Sequence, residues 1–175
     1  MTTQMVLFAI GPDKPGIVSR ISSVIHSNGG NFEDSRMATL AGDFALIVLF
    51  SAQPDAMESI KKECAALEKD LAITCEFRTP SPAALSVAAN SWHFEATGHD
   101  QPGIVSRLTT ALANEGVSVI SMDTSMINIA FIGTPMFKVR GEINIPDTID
   151  ATTLRETLED VCDDLALVLE FTRME

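Results

Sequence analysis

The chain has no apolar run long enough to cross a bilayer: its longest, such as Phe44 to Phe50, fall far short of the roughly 20 residues a membrane helix needs. Bases are scarce, 12 against 24 acids, and the resulting net charge of -12 repels a phosphate backbone, which argues against direct contact with DNA or RNA. No Lys or Arg precedes the first apolar stretch, Met1 to Gly11, which runs straight into a structural-looking motif. It therefore does not read as a secretory signal, and a cytoplasmic location is expected. Cysteine is equally sparse. Cys64, Cys75 and Cys162 form no Cys-x-x-Cys and have no nearby His to complete a ligand set, so no metal is expected and the thiols read as small buried hydrophobes. Gly-x-x-x-x-Gly-Lys, Gly-x-Ser-x-Gly and His-Glu-x-x-His are all missing, and no acid and base pair is recognisable from spacing. Neither a catalytic residue nor a cofactor is expected.

What remains is an ordinary globular composition, 175 residues with 46% hydrophobic and 21% charged, enough for one domain or two small ones. An internal repeat decides between them. Gly11-Pro-Asp-Lys-Pro-Gly-Ile-Val-Ser-Arg20 returns as Gly98-His-Asp-Gln-Pro-Gly-Ile-Val-Ser-Arg107, differing at only two positions. Asp70-Leu-Ala-Ile-Thr-Cys-Glu-Phe77 returns as Asp164-Leu-Ala-Leu-Val-Leu-Glu-Phe171, further displaced because the second copy carries extra residues near Met126 to Thr134. Two homologous halves follow, residues 1–78 and 91–175, joined over 79–90 by an uncharged segment with two prolines.

Each half reads strand, helix, strand, strand, helix, strand. In the first half the expected elements are Met5 to Ile10, Pro15 to Asn28, Asn31 to Leu40, Asp43 to Ser51, Asp55 to Leu71 and Ala72 to Arg78. The second half repeats them as Ser91 to Thr97, Gly103 to Asn114, Ser118 to Asn128, Pro135 to Ile145, Thr152 to Asp164 and Ala166 to Thr172. This βαββαβ order predicts an α+β chain of two ferredoxin-like units, each an antiparallel sheet with both helices on one face. Strand Met136 to Ile145 alternates, with Lys138, Arg140, Glu142 and Asn144 on one side, which suits a solvated second sheet. Val6 to Ile10 and Phe44 to Phe50 are apolar throughout, so the first sheet is expected to be covered on both faces, with a contact through Leu7, Ala45, Ile47 and Leu49 between chains or between halves. The plain alternative is a deeply buried central strand pair with an apolar patch of ordinary size.

The repeated loop has its own chemistry. Asp can cap a helix, Pro suits a first turn, and Gly allows close approach, so Asp13-Lys-Pro-Gly16 predicts an exposed helix N-terminus. Unpaired amides there attract a carboxylate while the Asp attracts an ammonium, which together suit a free amino acid. The same residues are also a good helix start with no ligand at all.

Gly-x-Asp-x-Pro-Gly-Ile-Val between the first strand and first helix of a βαββαβ unit resembles the ACT domain, a small-molecule sensing module. Asn28-Gly-Gly-Asn-Phe-Glu-Asp-Ser-Arg36 and Ala38-Thr-Leu-Ala-Gly-Asp-Phe44 add a resemblance to the tandem-ACT family of the glycine cleavage system transcriptional repressor. The resemblance implies two ACT domains in tandem, commonly paired side by side, with an amino acid held where the loop of one unit faces the second strand of its neighbour. Carried onto this chain, it implies ligand contacts from Asp13, Pro15, Gly16 and Ile17 with Asn31 and Phe32, and from His99, Asp100, Pro102, Gly103 and Ile104 with Ser118. His99 reads equally as a polar loop residue. Ser118 stands where the first half has Asn31, so the two sites are expected to be unequal.

The function implied is a non-enzymatic sensor of a small amino acid, glycine or serine first, in a homo-oligomer that acts through a regulatory protein partner. Two other classes stay open: a structural dimerisation module that binds nothing, and a small ferredoxin-like enzyme. Asp150, Glu156, Glu159, Asp160, Asp163 and Asp164 on the last helix read either as a surface for a basic partner or as a solvated face that keeps the chain soluble.

Overall fold

The computed structural model describes residues 2–80, 90–128 and 135–174. The chain divides into two compact units, with the division between Ser86 and Val87. The expected connector over 79–90 lies outside the described residues except at its ends, as does most of the expected insertion, residues 129–134. In the first unit the elements are β1 (Thr3–Pro12), α1 (Ile17–Ser27), β2 (Asn31–Leu40), β3 (Asp43–Ala52), α2 (Pro54–Leu71) and β4 (Thr74–Arg78). The second has β5 (Ser91–His99), α3 (Ile104–Asn114), β6 (Ser118–Asn128), β7 (Pro135–Asn144), α4 (Ala151–Asp164) and β8 (Leu167–Arg173). The strand orders are β2-β3-β1-β4 and β6-β7-β5-β8, antiparallel throughout. Both units are therefore ferredoxin-like α+β folds.

The helices follow from their apolar spacing. Ile17, Ile21 and Ile25 are the buried stripe of α1, and Met57, Ile60, Cys64, Leu67 and Leu71 that of α2. They pack on Leu7, Ala9, Leu46, Val48 and Phe50 to make the first core. The second core repeats the plan with Leu108 and Leu112, Leu154 and Leu158, and Phe94, Val139 and Ile143. Trp92 stacks on Phe171 at 4.8 Å between ring centroids, bracing β5 against β8.

Three expectations need correction. Within its own unit the first sheet is buried on one face only: β1 and β3 alternate strictly, with Leu7, Phe44, Leu46, Val48 and Phe50 inward and the equally apolar Val6, Phe8, Ala45, Ile47 and Leu49 outward, half-buried or exposed. Leu7 is a fully buried core residue and cannot belong to an outer contact. The helices α1 and α3 start after Gly16 and Gly103 rather than at Pro15 and Gly103, because both glycines adopt a left-handed conformation that ends the loop. The strands β4 and β8 start later than their sequence matches, since Ala72 and Ala166 sit at φ 56° and 49° and turn the chain between helix and strand.

The first glycine of each repeat is fixed by packing. A methyl group on Gly11 would stand 2.6 Å from the Ala72 carbonyl oxygen, and one on Gly98 would stand 2.8 Å from that of Ala166. The repeated segments thus meet: the end of β1 lies close against the chain entering β4, and that of β5 against the chain entering β8. They meet again through side chains. Arg20 pairs with Asp70 at 2.9 Å and Arg107 with Asp164 at 2.6 Å, tying the first helix of each unit to the end of the second. These pairs are exposed, so each is worth no more than about 1 kcal/mol.

Two predictions follow from this packing. Gly11→Ala and Gly98→Ala force carbonyl contacts that the backbone must yield to, and each is expected to cost about 1 to 3 kcal/mol in urea unfolding. The thiols of Cys64 and Cys162 are held up at about 12 and about 11, chiefly by burial, then at Cys64 by the Cys75 thiol ahead of Glu63 and Glu68, and at Cys162 by Asp163 and Glu159. In the unfolded chain a thiol ionises near 9, so stability is complete below that pH and falls as pH climbs toward 11 to 12. Alkylation at mildly alkaline pH is expected to be slow at both sites in the folded protein and fast in urea.

Candidate functional site

Both repeated loops leave the sheet at the same place. In the first unit the Asp13 N–H donates to the Gly42 carbonyl at 2.8 Å, which pins the loop to the β2–β3 turn. Asp13, Lys14, Pro15 and Gly16 then run exposed to the start of α1. Gly16 lies at φ 95° and Gly103 at φ 96°, a region open to glycine and strained for other residues. Each is the N-cap of its helix, and its carbonyl accepts the first helical hydrogen bond, from Arg20 or Arg107, at 2.9 Å.

Neither Asp13 nor Asp100 caps its helix, contrary to the sequence expectation. Both lie three positions before the glycine cap, and α1 and α3 have no side-chain cap bond. By contrast, in α4 the Asp150 carboxylate accepts from the Thr152 amide at 2.9 Å. Geometry leaves the first-turn amides of α1 and α3 without helical acceptors; that of Ile17 reaches only the Lys14 carbonyl, at 3.5 Å. Among the described residues the carboxylates of Asp13 and Asp100 have no hydrogen bond or ion pair.

The other repeated residues have work inside their own unit. Gly11 and Gly98 permit the close approach of the paired strands, Ile17 and Ile104 are core residues at 1% and 2% exposure, and Arg20 and Arg107 make the ion pairs. Because their side chains are buried, Ile17 and Ile104 can offer a ligand only backbone groups. The pairing of the repeated Arg and Asp was missed from sequence, although both ends of it recur there. Gln101 was missed as well. Its side-chain amide donates to the Leu165 carbonyl and fastens the second loop to the end of α4, where the first loop has an exposed Lys14. Beside it lies a cavity of about 290 Å³ lined by Gln101, Gly103, Ile104, Val105, Ser106 and Phe137.

The remaining candidates stand elsewhere. Asn31 is exposed and Phe32 half-buried against the first core, at the start of β2, opposite Ser51 and Phe50 of β3. Gln4 of β1 shares that end of the sheet, whereas the Asp13 loop follows Pro12 at the other. The strand rise puts about 25 Å between them. Ser118 is separated from the His99 to Ile104 loop in the same way, being opposite Asn144, itself opposite Ser91. Each unit therefore keeps its loop residues together and holds its β2 or β6 residues apart from them. His99 is exposed at the end of β5, opposite Met136. No group of three His, Cys, Asp or Glu among the described residues is placed to hold a metal ion. No described helix is long and apolar enough to cross a membrane.

Comparison with known proteins places this geometry. The sequence pattern of the ACT domain matches residues 3–78 and again 94–172. The glycine cleavage system transcriptional repressor of Escherichia coli (strain K12) is 25% identical over 163 residues, covering 92% of this chain and 85% of the relative. The solved structure of an unknown protein from Galdieria sulphuraria superposes over the whole of both chains with a TM-score of 0.86 and 26% identity. A second, provisionally assigned to a glycine cleavage system transcriptional repressor, matches with a TM-score of 0.73 at 19% identity, over 100% of this chain and 99% of that one, and shows the shared fold. With the pattern matched once in each unit, and the repeated loop set at the same strand-to-helix junction in both, the chain belongs to the ACT-domain family as a tandem pair.

Proposed function

We propose that the protein is a non-enzymatic sensor of a small amino acid, with glycine or serine the first candidates. The observation that carries this reading is the state of Asp13 and Asp100. They recur in both loops, yet neither caps its helix nor pairs with another side chain among the described residues, while the glycines, isoleucines and arginines around them all serve the fold. An ammonium group suits the carboxylate, and a carboxylate suits the first-turn amides of α1 or α3. A free amino acid carries both charges at a short fixed spacing.

Pro15 and Pro102 stiffen the loop before each glycine cap. Asn31 and Phe32, or Ser118, lie too far from the loop of their own unit to share its ligand, so in this reading they act in a site completed from outside that unit. Asn31 offers a donor and an acceptor, Ser118 a hydroxyl, and Lys14 is replaced by Gln101, so the two sites differ in affinity. The Escherichia coli relative bears the name of a transcriptional repressor, and in this reading the response of the present chain is passed to a regulatory protein partner. The net charge of -12 supports action through such a partner rather than on nucleic acid directly.

A thermal-shift screen against the free amino acids tests the proposal. Ligand at about 100 times its dissociation constant adds about 2.7 kcal/mol to a one-site protein, and each kcal/mol raises the midpoint of a chain this size by about 2 to 4 °C. One or two amino acids are expected to shift the midpoint, with Asp13→Ala or Asp100→Ala abolishing most of the shift while leaving the ligand-free midpoint within about 1 °C. A flat screen at millimolar ligand overturns the sensor reading in favour of a ligand-free interaction module.

A further inference from the structure

The outward face of the β2-β3-β1-β4 sheet carries three rows of side chains, fixed by the strand register. The first runs Asp34, Leu49, Val6, Arg78; the second Arg36, Ile47, Phe8, Glu76; the third Ala38, Ala45, Ile10, Thr74. The two central strands thus present six apolar residues, among them Ile10 at 58% and Ile47 at 46% exposure. Each edge carries one acid and one base. Asp34 pairs with Arg36 at 2.6 Å on β2, and Glu76 with Arg78 at 2.8 Å on β4, where the Arg78 guanidinium also lies 5.4 Å over the Phe8 ring.

The order of these charges is the informative feature. On β2 the acid is in the first row and the base in the second; on β4 the base is in the first row and the acid in the second. Turn a second copy over about a two-fold axis parallel to the strands, and β2 of one copy lies over β4 of the other with the rows in step. Asp34 then faces Arg78 of the second copy, Arg36 faces Glu76, Leu49 faces Val6, Ile47 faces Phe8 and Ala45 faces Ile10. A two-fold axis across the strands through the second row sets Arg36 on Arg36 and Glu76 on Glu76, which like charges oppose; moved between the first and second rows it matches Asp34 with Arg36 and Arg78 with Glu76 but sets Ala45 on Ser51 and Ile10 on Gln4. Only the axis parallel to the strands matches the charges and keeps all three apolar rows against one another.

The second unit's corresponding sheet face makes a poor cover by its chemistry. It presents His93, Glu95 and Thr97 on β5 beside Glu142, Arg140 and Lys138 on β7, with Lys138 paired to Glu95. Apolar side chains set against those charges strip them of water and offer no new partner in return. Three rows across four strands span about 20 by 20 Å and bury about 800 Å² over two copies, the size of a weak and reversible contact rather than a permanent one.

We propose that the outward face of the β2-β3-β1-β4 sheet is a two-fold, sheet-on-sheet interface between two copies of this chain. It is an isologous contact with the aligned packing of two twisted sheets. It stands apart from the amino acid sites, since none of the loop residues takes part.

Sedimentation velocity of the full chain from low to high micromolar concentration tests it. The mass is expected to rise from the 18.8 kDa of one chain to twice that value. Ile47→Glu is expected to hold the protein at the single-chain mass. Asp34→Arg and Arg78→Asp, both at exposed positions, should each weaken association by about tenfold, and the two together in one chain should restore it because each meets the other across the axis. Circular dichroism confirms that each variant is folded. A single-chain mass at every concentration, a dimer indifferent to Ile47→Glu, or a double charge reversal no better than the singles overturns the proposal. The first outcome assigns the face to cover from within the same chain, and the other two to an occupant of different chemistry.

Discussion

A four-stranded sheet flanked by only two helices can be covered on one face, and this limit shapes both halves of the molecule. Everything inward is committed: Leu7, Val48 and Phe50 against α1 and α2 in one unit, Phe94, Val139 and Ile143 against α3 and α4 in the other. Everything outward is free to differ, and it does. The second unit spends that freedom on Lys138, Arg140, Glu95 and Glu142, which need only water and each other, while the first keeps Val6, Phe8, Ile10 and Ile47 there. A duplicated fold thus carries one charged outer face and one apolar outer face over cores built to the same plan.

The fold was legible because its signals were redundant. The helical stripe Ile17, Ile21, Ile25 and the alternation of β7 each pointed to one element type, and the repeat allowed each half to check the other. The parity of β1 was not legible. In Val6-Leu-Phe-Ala-Ile10 every side chain is apolar, so composition alone cannot say which of two alternating sets meets the helices. Register decides it, by pairing Leu7 with Val48 and Phe8 with Ile47.

The site was legible in part. That the loop opens a helix was evident from Pro15 and Gly16, but the capping role given to Asp13 was wrong because the left-handed glycine, three residues later, takes the cap position. Sequence shows which residue types suit a cap; only the backbone path shows which one reaches. The correction sharpens the chemistry, since an Asp that capped the helix would have its charge spent. The ion pairs of Arg20 with Asp70 and Arg107 with Asp164 were hidden for a different reason. Their members belong to two separate repeated segments, and only the sheet order, with β4 beside β1 and β8 beside β5, brings those segments together.

Ala72 and Ala166 hold a further consequence. Both stand in left-handed conformations where a helix hands over to a strand, each at an expense of about 1 kcal/mol that glycine would avoid. Duplication has carried the same small fault into both copies. Its survival is what a stability threshold permits: once the cores suffice to keep the chain folded, a defect of this size is invisible to selection and accumulates as inherited slack.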